Sequence, residues 1–134
     1  MNETLNILLV EDDPDDIELM EDALKGSKIF YTLETIKQGD QVIPHLEQSP
    51  QKPDIIILDL NLPRIHGREI LKSLKDSLRL KHIPVVILTT SSAKKEMEYC
   101  INNGADEYLI KPVTMDGFSK IISSIIFIAK RSFN

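Results

Sequence analysis

Five short apolar runs divide this 134-residue chain, and four of them end in a residue able to do chemistry. Residues 5–10 are apolar apart from Asn6 and run into Glu11-Asp12-Asp13-Pro14. Residues 55–58 are wholly apolar, lie between Pro53 and Pro63, and meet a carboxylate at Asp59. Residues 84–89 repeat that design and end at Thr89, and residues 107–111 end at Lys111 before Pro112. Residues 29–36 make the fifth run, with Tyr31 and Leu33 on one side. Such runs, rich in β-branched and aliphatic residues and bounded by Pro or Gly, predict strands. Those without alternation predict strands covered on both faces.

The stretches between them carry helical spacing. Ile17, Met20, Ala23 and Leu24 share one face behind Asp13, an expected N-cap with Pro14 in the first helical position. Gly26 is the expected stop. Val42, Ile43 and Leu46 mark a short helix after Gly39-Asp40, and Ile70, Leu71 and Leu74 mark another from about Gly67. Residues 93–103 bring Met97, Cys100 and Ile101 together and stop at Gly104. Thr114 is the expected cap of a last helix running to about Lys130, with Phe118, Ile122, Ile125 and Ala129 facing the core. Five strands alternating with five helices predict an α/β class: one doubly wound domain, its five-stranded parallel sheet covered by helices on both faces. No linker or repeat divides residues 1–134, and the expected core spans about 4–130.

Charge and composition narrow the class. With 21 acidic and 16 basic residues the net charge is -5, which argues against nucleic acid as the main partner. No apolar run approaches the ~20 residues of a membrane helix. Met1-Asn-Glu-Thr lacks the basic start and apolar core of a signal peptide, and Cys100 alone excludes an internal disulfide. The cytoplasm is the expected location. The glycines are too far apart for dinucleotide or phosphate-loop fingerprints.

In a parallel sheet all carboxyl ends of the strands lie on one edge, so Glu11, Asp12, Asp59, Thr89 and Lys111 can converge there. Each has an ordinary explanation as a cap, a solvated loop residue or a surface lysine. Four strand ends carrying complementary chemistry favour a site. Carboxylates ~4 Å apart at an effective dielectric near 20 repel by about 4 kcal/mol per pair. A hard divalent cation relieves that repulsion, and Mg²⁺ suits an oxygen cluster. A cation and a lysine beside a free carboxylate describe a phosphoryl-transfer site, with an aspartyl phosphate as product.

With these motifs the chain resembles the receiver domain of bacterial two-component response regulators. The likeness covers roughly residues 4–130 and rests on Leu-Leu-Val-Glu-Asp-Asp-Pro, Asp59-Leu-Asn-Leu-Pro, Thr89 and Tyr108-Leu-Ile-Lys111-Pro112. Leu-Asn-Leu-Pro-Arg-Ile-His-Gly-Arg-Glu and Leu-Thr-Thr-Ser make it most similar to the stand-alone regulators that partner phytochrome-type histidine kinases. The resemblance implies a CheY-like, flavodoxin-like fold. It implies Asp59 as phosphoacceptor and Mg²⁺ held by Asp12, Asp59 and the Asn61 backbone carbonyl, with Glu11 acting through water. Thr89 and Lys111 would bind phosphoryl oxygens, and Thr89 with Tyr108 would form the switch. The side chains of Asn61 and Ser91 would modulate dephosphorylation, and Lys111-Pro112 would be a cis peptide.

Thr90 departs from the family, which often has Ala or Gly there, and its bulk is expected to slow access to the site. His66 stands where many relatives have an acidic or polar residue and reads as a solvated loop residue. His45, His66 and His82 show no metal spacing, so the phosphodonor histidine is expected on a partner kinase. A dehalogenase-type phosphatase needs a second Asp two residues after its nucleophile, where Asn61 stands. An unphosphorylated interaction module would not need the whole set. About four residues follow the last helix, so the expectation is no output domain, with signal leaving through surface contacts or onward phosphotransfer to a downstream protein. Phe127 falls opposite the core-facing residues of that helix, and Ile126 and Ile128 flank it. Together with an expected edge strand at 107–111, they form the expected homodimer surface.

Overall fold

The computed structural model describes residues 4–131. The strands are β1 (Leu5–Val10), β2 (Tyr31–Ile36), β3 (Ile55–Leu58), β4 (Val85–Thr89) and β5 (Glu107–Ile110). The helices are α1 (Pro14–Gly26), α2 (Val42–Gln48, entered through a 3-10 turn), α3 (Gly67–Asp76), α4 (Lys94–Asn102) and α5 (Met115–Arg131). All neighbouring strands pair in parallel, in the order β2-β1-β3-β4-β5. This is the doubly wound, flavodoxin-like arrangement. From β1 the chain winds to β2 on one side and then crosses back to β3 on the other, so the reversal of winding opens a crevice at the β1 and β3 carboxyl ends.

Alternation along the strands separates two cores. Ile7, Leu9, Ile55, Ile57 and Val86 pack under α1 and α5, against Met20, Leu24, Phe118 and Ile125. Leu8, Val10, Ile56, Leu58 and Ile87 pack under α2, α3 and α4, against Val42, Leu46, Ile70, Leu74 and Cys100. Strands β3 and β4 are buried throughout, as runs without alternation require.

Several expectations are corrected. The second strand begins at Tyr31 rather than Ile29; Phe30 is exposed, although its carbonyl accepts from Leu5 N–H at 2.9 Å. Helix α1 does end at Gly26, and the left-handed residue follows at Lys28 (φ 64°). Ile101 is exposed, and Tyr99 packs beside Met97 in its stead. No cis peptide occurs among the described residues, so Lys111–Pro112 is trans, the isomer favoured by about 0.5–1 kcal/mol.

Helix α5 carries the correction with most bearing on partners. Ile128 is buried at 5% exposure and belongs to the core, not to an outward surface. It lies three residues after Ile125 and seven after Ile121, so it shares their stripe. Ile126 is half-buried, and Phe127 alone of the three projects, at 66% exposure, with the Arg131 guanidinium 5.7 Å from its ring centre. Strand β5 is a sheet edge as expected, and the Thr114 hydroxyl accepts from Gly117 N–H at the start of α5.

Candidate functional site

The ladder of the sheet places the site residues. Glu11 N–H donates to Ile36 O at 3.0 Å, Asp59 N–H to Val10 O at 3.1 Å, and Lys111 N–H to Thr89 O at 2.8 Å. Each strand is thus held by its neighbour up to the residue that leaves it. The carboxyl-edge cleft encloses about 520 Å³ and is lined by Glu11, Asp12, Asp16, Asp59, Asn61, Thr90 and Lys111, among others.

One face of the cleft is anionic. Carboxylate oxygens of Glu11, Asp12 and Asp59 all lie within 4.8 Å of one another. Glu11 and Asp59 are buried and Asp12 is exposed. Glu11 Oε2 accepts from the backbone N–H groups of Asp12 and Asp13 at 3.2 Å each, and Asp59 Oδ1 accepts from Asn61 N–H at 3.3 Å. Burial above all, and the nearby Asp59 charge, push the Glu11 carboxyl up to about 7 against the pull of Lys111. An all-oxygen donor set under such repulsion fits a hard divalent cation. The expected ligands therefore suit Mg²⁺ chemically, and the Asn61 backbone carbonyl stands on the same loop.

Facing them is one ammonium. Lys111 Nζ lies 2.7 Å from Glu11 Oε1, 2.7 Å from Asp16 Oδ2 and 3.0 Å from Asp59 Oδ2. Burial works against its charge, but the hydrogen bonds to Asp16, Glu11 and Asp59 outweigh it and hold its pKa above the usual lysine range.

Asp16 had not been singled out from the sequence. It is the third residue of α1, after Pro14 and the Asp13 cap, whose Oδ1 accepts from Asp15 N–H at 2.8 Å. Side chains on a helix lean towards its amino end, so this position reaches back over the end of β1. That geometric signal could have found it.

The remaining expected residues divide. Thr89 is buried, and its hydroxyl has no hydrogen-bond partner among the described residues. Thr90 is exposed and lines the cleft. Ser91 turns its hydroxyl towards Ala93 N–H at 3.3 Å, while its carbonyl accepts from the Tyr108 hydroxyl at 2.8 Å. The Tyr108 ring is buried, and burial raises its phenol pKa. His66 proves to be the cap of α3, its Nδ1 accepting from Arg68 N–H at 3.1 Å.

A model of the response regulator receiver domain matches residues 7–123. The chain belongs to that family. Among curated relatives, this receiver domain is 36% identical to response regulator Rcp1 of Synechocystis sp. over 124 residues, covering 89% of this chain and 84% of Rcp1. Among solved structures it is similar to the phosphorylated cyanobacterial phytochrome response regulator RcpA, with TM-score 0.85, 33% identity, and coverage of 92% of this chain and 91% of RcpA. The Mn²⁺-bound form of Rcp1 gives TM-score 0.82 at 35% identity, covering 90% of this chain and 91% of the other. Among the described residues of this receiver domain, no helix is long and apolar enough to cross a membrane.

Proposed function

We propose that this receiver domain accepts a phosphoryl group on Asp59 from a partner sensor histidine kinase and thereby changes its protein-binding surface. The observation that carries the reading is the position of Asp59, with a carboxylate cluster fit for a cation on one side and Lys111 at 3.0 Å on the other. One Asp59 carboxylate oxygen attacks phosphorus, the bond to the donor imidazole nitrogen breaks, and the imidazole leaves with the electron pair. Asp12, Asp59 and the Asn61 carbonyl would hold Mg²⁺, with Glu11 acting through water, and the ion when bound offsets charge on the transferring group. Lys111 binds a second phosphoryl oxygen and Thr89 a third. The protein catalyses its own transfer and its own dephosphorylation, with Asn61 and Ser91 modulating dephosphorylation and Thr90 slowing access to the site. Incubation with acetyl phosphate should add the mass of one acid-labile phosphoryl group. Addition that persists after full chelation of divalent metal removes the reading.

The switch follows from Thr89. Its hydroxyl gains an acceptor when a phosphoryl group arrives, and its movement bears on the Tyr108 ring one strand away, which packs inward with its hydroxyl on the Ser91 carbonyl. Thr89→Ala should take up phosphate but keep the partner affinity of the unmodified protein. Calorimetry against a partner checks this; equal phosphorylation-dependent gains in Thr89→Ala and wild type exclude the coupling.

The likeness to RcpA supports a phytochrome-type kinase as donor, which phosphotransfer profiling against candidate kinases tests. A downstream phosphotransfer protein is the proposed recipient. Phe127, with the half-exposed Ile110 on the edge strand β5, supports self-association. Sedimentation at micromolar concentration should show a dimer strengthened by beryllofluoride and weakened by Phe127→Glu; a monomer in both states removes it.

A further inference from the structure

We infer that Asp16 is a positioning residue, a charged tether on α1 that holds the Lys111 ammonium over Asp59 while the phosphoryl group is transferred. The inference rests on Asp59 being the phosphoacceptor. Its observation is separate from that reading. An ammonium has three hydrogen-bond donors, and Lys111 faces three carboxylates: Glu11, Asp16 and Asp59. Transfer changes the third partner, because Asp59 becomes an acyl phosphate and the ammonium must swing to a phosphoryl oxygen. The lysine then needs anchors that do not themselves react. Glu11 is one, but its other oxygen is engaged with two backbone amides and it belongs to the carboxylate cluster. Asp16 lies outside that cluster and sits at the rim, its side chain 25% exposed. Its Oδ2 takes a hydrogen bond from Lys111 across 95 positions of sequence, joining the first turn of α1 to the end of β5.

The bland alternative is an acidic residue that only favours the positive end of a helix. That role acts on stability and leaves a phosphorylation rate unchanged. A tether acts on rate and follows charge rather than shape.

The experiment measures the initial rate of phosphorylation by acetyl phosphate with saturating Mg²⁺, in wild type, Asp16→Asn and Asp16→Glu. Asp16→Asn keeps the shape and loses the charge, so its rate should fall about tenfold, the scale expected when a reacting partner is less well held. Asp16→Glu keeps the charge on a longer arm and should recover most of the rate. Thermal midpoints above the assay temperature in all three separate rate from folding. An Asp16→Asn rate within about twofold of wild type overturns the inference, as does a loss explained by melting. Wild type that takes up no phosphoryl group removes the receiver reading itself, whereas equal rates in wild type and Asp16→Asn remove the tether alone.

Discussion

Asp59→Asn should take up no phosphoryl group above background, from acetyl phosphate or from a kinase, and should still fold. The amide matches the carboxylate in size but has no nucleophilic anionic oxygen. No neighbour is placed to replace it. Glu11 is held by Lys111 and two backbone amides, and Asp12 lies on the exposed side of the cluster. The substitution also removes one charge from a crowded set. The Asp59 charge is one of the influences that push Glu11 up to about 7, so the metal-free variant should have a thermal midpoint at or above that of wild type. Intact-mass analysis after acetyl phosphate and a thermal melt without Mg²⁺ measure the two effects. Full labelling of Asp59→Asn would falsify the assignment of the acceptor. A labelling loss in a variant that no longer melts cooperatively would mean only that the fold had failed.

Gly67→Ala should be strongly destabilising. A Cβ there would sit 2.5 Å from the Asp59 carbonyl oxygen and 2.6 Å from Leu60 Cα. Both are backbone atoms of the segment carrying Asp59, and Gly67 N–H also donates to Leu60 O at 2.9 Å. The start of α3 lies flat against the end of β3, and neither side can turn a flexible tip away. Overpacking of this kind costs about 1–3 kcal/mol, and backbone on both sides places it at the upper end. At Gly26 an added Cβ meets nothing within 4 Å. Gly26→Ala should therefore be neutral or stabilising by up to about 1 kcal/mol. Urea titrations of both variants check the contrast. Because the displaced atoms include the Asp59 carbonyl, Gly67→Ala should also slow phosphorylation.

Much of this architecture was legible because burial on both faces leaves a plain mark. Strands β3 and β4 are wholly apolar runs, and their polar end residues, Asp59 and Thr89, announce the sheet edge. Helix α3 was equally clear, since Ile70, Leu71 and Leu74 form a complete stripe behind Gly67. The misreadings arise where a local rule meets a tertiary one. Ile101 matched the helical spacing of Cys100 but lies at the margin of α4, where Tyr99 covers the core instead. Ile128 was grouped with Phe127 by adjacency, although its spacing from Ile121 and Ile125 puts it inside. In the site, the motif residues were legible because each ends a strand. Asp16 was not, because its part depends on the backward lean of a helical side chain towards a lysine far away in sequence.

The unpartnered Thr89 hydroxyl bears on how far this protein can be switched. A buried hydroxyl without a partner costs about 1–3 kcal/mol, which is the ceiling on what a phosphoryl acceptor can supply at Thr89. If phosphorylation satisfies it, relief at this one atom shifts a two-state balance by about 5- to 150-fold. Taking a population from 1:99 to 99:1 requires about 5.5 kcal/mol. Thr89 therefore supplies at most about half of a complete conversion. The rest must come from other contacts that differ between the states, the exchange of partners at Lys111 first among them. A receiver in which only the hydroxyl responded would be a dimmer; two coupled contacts are needed to make it a switch.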